Sequence, residues 1–332
     1  MLAIRVVLHD CSQIVAIMRR STDDVVDAAC SVLALPVTLP GVLVLGAASI
    51  TPFRGTALRL FETGPWGTMF DRLTWLPWRA LAAEPRCLYV DASGGTRPPR
   101  EGCAFSNLPP CPNGHRRIVM VSDTHGKHKL LQLPPGDILL HAGDILSRNA
   151  CILGNNGISH ATAISALRQF DAWLAKLPYA AKVVIGGNHD AALEAVGVER
   201  AQQLLSNAVY LQNSAALVEG LLMYGSPWSH GRSANRAFQS AQPPMPTDDR
   251  AVDVDVLLSH AYNEALLSAT RPTLYVSGHA HGLHGLLENA FGSGLSVNAS
   301  ICDGYYRPVQ LPIVCDVVPK ACRAAAAISA GG

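Results

Sequence analysis

Five apolar runs between residues 116 and 281 each break off into side chains able to hold a cation. Residues 118–122 run into Asp123 and His125. Residues 137–141 run into Gly143-Asp144, and 182–185 into Asn188 and His189. Residues 254–258 end at His260, and 273–276 end at His279 and His281. Each run has the length and apolar character of a buried strand. Between the second and third, Ile164, Leu167, Phe170, Trp173, Leu174 and Leu177 recur at helical spacing and predict an amphipathic helix over 161–177. A second helix is expected through 199–205, with further strands at 209–212, 221–225, 285–287, 296–299 and 311–317. Strands that alternate with helices build an α/β sheet, and ligands collect where loops leave the strand ends. Side chains far apart in sequence can therefore converge. Gly143, Gly186, Gly187 and Gly278 stand at the corners, where tight turns are needed.

The chemistry of such a set is specific. Two divalent ions about 3.5–4 Å apart can clamp a phosphoryl group and generate hydroxide at neutral pH. They require a carboxylate that bridges them, oxygen ligands and imidazoles. The mixed nitrogen and oxygen donors suit Mn, Fe, Zn or Co better than Mg or Ca. No cysteine lies in these blocks, which excludes a thiolate structural zinc site there. Asp and Asn are also common turn residues, so each block alone has a purely conformational reading.

In order, Asp123-x-His125, Gly143-Asp144, Gly187-Asn-His-Asp190, His260 and Gly278-His-x-His281 resemble the five blocks of the calcineurin-like metallophosphoesterases. Residues 134–137, 141–144, 225–228 and 297–300 are similar to the smaller MPPED-like branch, and the likeness covers about 116–318. It implies an α/β fold, a two-sheet α/β/β/α sandwich. It implies that Asp123, His125 and His281 hold a first metal and that Asn188, His260 and His279 hold a second. Asp144 bridges them, with manganese the favoured metal. By the same resemblance His189 is catalytic rather than a ligand: it faces the substrate and stabilises or protonates the leaving oxygen, while a metal-bridging hydroxide attacks. The branch usually has Gly-Pro-Pro after the fourth-block histidine, where this chain has Ala261-Tyr-Asn263, and residues 145–157 are longer and more polar than usual.

The expected activity is a metal-dependent phosphoesterase on a small phosphate ester. The resemblance favours phosphodiester hydrolysis, with nucleotides or cyclic nucleotides as candidates. The alternatives are a phosphomonoesterase, or a low-turnover scaffold that binds metal and nucleotide. Of the remaining histidines, His141 lies on the strand face opposite Asp144 by alternation, and reads as buried support. His128 and His284 read as rim or exposed residues. His230 and Arg232 read as a solvated loop and Trp228 as packing.

Residues 1–112 differ in kind. They contain no lysine, a Trp66, Trp75, Trp78 patch, and Pro/Gly punctuation at 94–100 and 107–114, so a domain boundary is set near residue 113. They are read as an extension of uncertain structure, poorly ordered or membrane-associated. The uncharged 20-residue stretch 31–50 is long enough to span a bilayer, but Pro36, Pro40, Gly41 and Gly46 interrupt it. The domain is taken as 113–320, with 321–332 a frayed tail. A net charge of +1 argues against a nucleic-acid partner. Nine cysteines without a C-x-x-C spacing read mostly as reduced thiols of an intracellular, cytoplasmic protein, with Cys103 and Cys111 the one pair considered for bonding. Oligomeric state is not legible.

Overall fold

A computed structural model describes residues 84–90, 102–146, 160–230, 237–246, 253–287 and 294–322. In chain order its strands are β1 (Arg86–Val90), β2 (Cys103–Ala104), β3 (Arg116–Val121), β4 (Ile138–Ala142), β5 (Ala181–Ile185), β6 (Val209–Tyr210), β7 (Ser214–Val218), β8 (Leu221–Ser226), β9 (Val256–Ser259), β10 (Leu274–Ser277), β11 (Gly285–Leu286), β12 (Leu295–Asn298) and β13 (Ile313–Val317). The helices are α1 (His160–Leu174), α2 (Ala191–Val196), α3 (Val198–Leu204) and α4 (Glu264–Thr270). One sheet runs β2-β1-β13-β3-β4-β5-β6 and the other β11-β12-β10-β9-β8-β7.

Strand alternation sorts the core into layers. Ile118, Met120, Ile138, Leu140, Val183 and Ile185 of the first sheet face Met223, Val256, Leu258, Val276 and Val297 of the second. The opposite faces of the first sheet, Val119, Val121, Leu139 and Val184, pack with Ala163, Leu167, Phe170 and Leu174 of α1. Tyr224, Leu257 and Tyr275 on the outside of the second sheet meet Leu266 and Leu267 of α4. The result is the α/β/β/α sandwich expected. β3, β4 and β5 run parallel to one another, as do β8, β9, β10 and β12, so the loops following them leave on a common edge of each sheet.

The expected start of the domain needs correction. β1 and β2 precede residue 113, yet β1 pairs in parallel with β13 through Leu88↔Ile313 and β2 pairs with β1. The compact unit carrying both sheets begins at Pro85. The physical reason is a buried ion pair. Arg117 of β3 donates from Nε and Nη2 to Asp316 of β13 at 2.8 and 2.7 Å, and from Nη2 to Pro109 O at 2.6 Å. Tyr89 of β1 donates to the same carboxylate at 3.0 Å. The Pro/Gly stretch 107–114 is thus a connection inside the sheet's own structure. The stretches 31–50 and 94–100, the Trp66, Trp75 and Trp78 patch, Arg232 and the tail beyond 322 lie outside the described residues. Among the described residues no helix is long and apolar enough to cross a membrane.

The helix expected over 161–177 is α1, continued by a turn in which Leu177 N donates to Leu174 O at 3.1 Å. β7, α2 and α4 were not expected. None of the six described cysteines is in a disulfide, and Cys103 lies beside Cys87 (Sγ–Sγ 3.9 Å) rather than Cys111.

Candidate metal centre

The loops that follow β3 and β4 are zipped together by their backbones. Asp123 N donates to Gly143 O at 2.9 Å, His125 N to Asp144 O at 3.1 Å and Gly126 N to Ile145 O at 2.7 Å. To do so the chain turns left-handed at Asp123, His125 and Asp144, with φ of 54, 45 and 55°. Positive φ is uncommon outside glycine and clusters at functional sites. Gly143 (φ 93°) completes the turn, and a Cβ there would strike Gly186 O and the His260 ring. A Cβ on Gly278 would strike Ser122 Oγ and the Asp123 carboxylate, so glycine is what lets the loop after β10 approach the one after β3.

This packing brings all eight sequence-predicted site residues together. Asp123, His125 and His281 each offer one atom within 4.8 Å of the others, as do Asp144, His260 and His279. Asn188 Oδ1 joins the second group, 2.9 Å from His260 Nε2 and 2.8 Å from His279 Nδ1. Asp144 stands between the groups. Its Oδ1 is 3.3 Å from His260 Nε2, and its Oδ2 is 3.9 Å from His125 Nε2. His189 donates its backbone N–H to Asp144 Oδ1 at 2.8 Å, with Nε2 3.8 Å from Oδ2. By proximity alone His189 forms a third possible group with His125 and Asp144.

The donor chemistry fits a cation at each group. His125 Nδ1 faces Leu146 O at 3.2 Å, His281 Nδ1 faces Asp303 O at 2.8 Å and His260 Nδ1 faces Ala142 O at 2.9 Å. A carbonyl only accepts, so each of these nitrogens carries a proton, and any of these rings that is neutral turns a bare Nε2 lone pair inward. His125 Nε2 and His281 Nε2 then face each other at 3.2 Å. His260 Nε2 faces the Asn188 and Asp144 oxygens. Such an arrangement of acceptors is repulsive unless positive charge lies among them.

Protonation shows the same demand. Burial works against a charged His260, yet the Asp144 carboxylate pushes its pKa up to about 9. Burial likewise opposes charge on His281, and its hydrogen bond to Asp123 raises it. One imidazole in each group is thus drawn to hold a proton where a metal would supply the charge. Asp123 and Asp144 are held well below the usual carboxylate range; burial opposes this, but His281 and His260 respectively outweigh it. His125 and His279 are depressed to about 4 by burial, and His189 is lowered by the same cause.

Several supporting residues lie behind these groups. Asp123 accepts from Ser300 Oγ at 2.9 Å and from His279 N at 2.9 Å, while Asn298 Nδ2 donates to Gly278 O at 2.9 Å. The 297–300 likeness noted in the sequence therefore has a structural use. Asp190 carried no expected role; its carboxylate accepts from Leu146 N, Gly187 N and Ile145 N at 2.9, 2.9 and 3.2 Å, tying the loops after β4 and β5. Burial and the nearby Asp144 charge push Asp190 up to about 7. Tyr306 was missed because no motif contains it; its ring lies 4.6 Å from that of His125.

His141 meets its expectation. It is fully buried on the α1 side, its Nε2 2.9 Å from Thr124 Oγ1 between Asp123 and His125. His128 does not: it is buried against Phe170 and Trp173, with ring centroids 5.2 Å from each. His284 is half-buried. His230 is exposed, with Nε2 2.8 Å from Tyr262 O, and Trp228 packs edge-on against Phe238. The departure at 261–263 serves α4, whose first turn Asn263 caps by accepting from Leu266 N at 3.1 Å.

A family model described as calcineurin-like phosphoesterase matches residues 116–283. The human protein described as metallophosphoesterase domain-containing protein 1 is 32% identical over 257 residues, covering 63% of this chain and 73% of that one. The mouse protein of the same description gives the same figures. A UPF0046 protein of Caenorhabditis elegans is 28% identical over 241 residues, covering 60% of this chain and 80% of its own.

Proposed function

The chain belongs to the calcineurin-like phosphoesterase family and is a metal-dependent phosphoesterase, and we propose that it hydrolyses phosphodiesters with two divalent ions, manganese favoured. Asp123, His125 and His281 would hold one ion, and Asn188, His260 and His279 the other, with Asp144 shared. The observation that carries this reading is the pair of inward-facing acceptor clusters with Asp144 between them: one oxygen lies toward His260 and the other toward His125. When bound, the ions supply Lewis acidity and a nucleophile drawn from water at neutral pH.

The chain's own residues do the rest. Backbone carbonyls at Leu146, Asp303 and Ala142 hold three imidazoles in one tautomer, which orients them and raises their donor strength. His189 lies against His125, ring centroids 4.6 Å apart, and its lowered pKa keeps it neutral at pH 7. A neutral imidazole donates one N–H, and we assign His189 that role toward the leaving oxygen. The preference for a diester, and for a nucleotide among diesters, rests on the family likeness alone.

The test is turnover of bis-p-nitrophenyl phosphate against p-nitrophenyl phosphate by manganese-loaded protein, followed by a nucleotide and cyclic-nucleotide screen. Metal-dependent turnover with the diester preferred is expected. Preference for the monoester would make the chain a phosphomonoesterase, and tight metal binding without turnover of either would favour a binding scaffold.

A further inference from the structure

Tyr306 packs its ring against three imidazoles of the centre, with centroids 4.6 Å from His125, 5.2 Å from His281 and 5.9 Å from His189. The residue sits in the left-handed region, φ 61°, which is strained for a bulky side chain. The turn that carries it is braced against that strain. Asp303 Oδ1 accepts from Tyr305 N and Arg307 N, each at 2.9 Å, and Oδ2 accepts from Arg307 Nε at 2.8 Å. Asp303 N donates to Arg307 O at 2.9 Å, and Lys127 Nζ donates to Tyr306 O. The Asp303 carbonyl accepts both Tyr306 N at 2.9 Å and His281 Nδ1 at 2.8 Å. One backbone oxygen thus ties the aromatic ring to an imidazole of the first group.

We propose that Tyr306 is a positioning residue of the metal centre: its ring holds the His125 and His281 planes in the orientation that turns both Nε2 atoms toward Asp123. This rests on the reading that Asp123, His125 and His281 hold an ion. The carbonyl bonded to Nδ1 fixes one point of each imidazole but leaves the ring free to swing about it. An edge-to-face neighbour removes that freedom. The role is assigned to the ring and not to the hydroxyl, and Tyr306→Phe separates the two.

The experiment measures Mn2+ affinity of the full chain by competition with a chromophoric chelator, in the wild type and in Tyr306→Phe, Tyr306→Leu and Asp303→Ala. Groups that orient metal ligands are worth about 10–100-fold in affinity. Tyr306→Leu is expected to weaken one manganese equivalent by about tenfold or more and spare the other, while Tyr306→Phe stays within about twofold. Asp303→Ala keeps the ring but loosens its turn, and should weaken the same equivalent. Turnover lost in Tyr306→Leu should return as manganese is raised. Unchanged affinity in Tyr306→Leu would overturn the proposal. So would a loss of turnover that persists at saturating manganese, or a change in KM alone, which would mark the ring as a wall for substrate. If wild-type protein binds manganese but cleaves no ester, the hydrolytic reading falls while the affinity comparison still decides the role of Tyr306.

Discussion

Replacing His128 with leucine should make the protein more resistant to acid by an amount that can be worked out. His128 is 5% exposed, and neither ring nitrogen has a hydrogen-bond partner among the described residues. Burial, with a smaller push from Lys129, depresses its pKa to about 4. Unfolded, the same imidazole titrates near about 6.5. Between those values the unfolded chain binds a proton that the folded chain refuses, so stability falls as pH drops through this window and levels off below it. At about 1.36 kcal/mol per pH unit, the full loss is about 3.4 kcal/mol, of which about 2.6 kcal/mol is realised by pH 4.5. Leucine has no such term. Other buried histidines titrate in both proteins and cancel in the difference, provided the sites are independent. Urea unfolding of metal-free protein at pH 7.5 and at pH 4.5 is the assay. The stability of the variant relative to wild type should rise by about 2–3 kcal/mol between the two conditions. Curves that fall in parallel would mean that His128 is solvated or protonated in the folded state, and the reasoning would be wrong.

Other outcomes follow from the same geometry. Asp144→Ala removes the carboxylate that stands between the two groups and is proposed to bridge the ions, so metal measured by elemental analysis should fall and turnover vanish; retained stoichiometry would contradict the bridging role. His189→Ala should leave the metal bound and lower kcat by about 10²–10⁴-fold, whereas an emptied site would make His189 a ligand. Asp316→Ala strands the buried Arg117 charge and should cost about 3–5 kcal/mol in urea unfolding; a cost below about 1 kcal/mol would show that the pair adds little.

What could be read from the residues, and what could not, divides along a physical line. β3, β4, β5, β9 and β10 were legible because an apolar run stops abruptly at a polar side chain, and the order of those stops carried the site. β1 was not. Cys87-Leu-Tyr-Val90 is short and follows Pro85, and the strand it pairs with begins at Ile313, so no local pattern announces the pairing. His141 yielded to alternation because it lies in a regular strand. His128 did not, because it begins a 3-10 turn (His128–Leu130) whose direction no simple period predicts. Asp190 was visible as the last letter of a motif, but its role depends on three backbone N–H groups that only the packed loops present. Tyr306 had no signal beyond being the second of two tyrosines after a glycine, since its importance lies in a left-handed turn and in rings brought from elsewhere.

The position of β13 has a consequence for how the molecule is made. This strand pairs with β1 on one side and with β3 on the other. During synthesis β1 and β3 therefore emerge early and wait for Ile313–Val317 before the first sheet can close. Until then β3 presents an apolar, unpaired edge, and the Arg117 guanidinium lacks its carboxylate. Closing the sheet across so long a stretch of chain makes assembly slow and leaves the intermediate prone to wrong strand pairing. A chain interrupted before residue 313 would retain all eight candidate site side chains but leave β1 and β3 without the strand that separates them. Such a product is a candidate for aggregation or for holding by a chaperone rather than for partial activity.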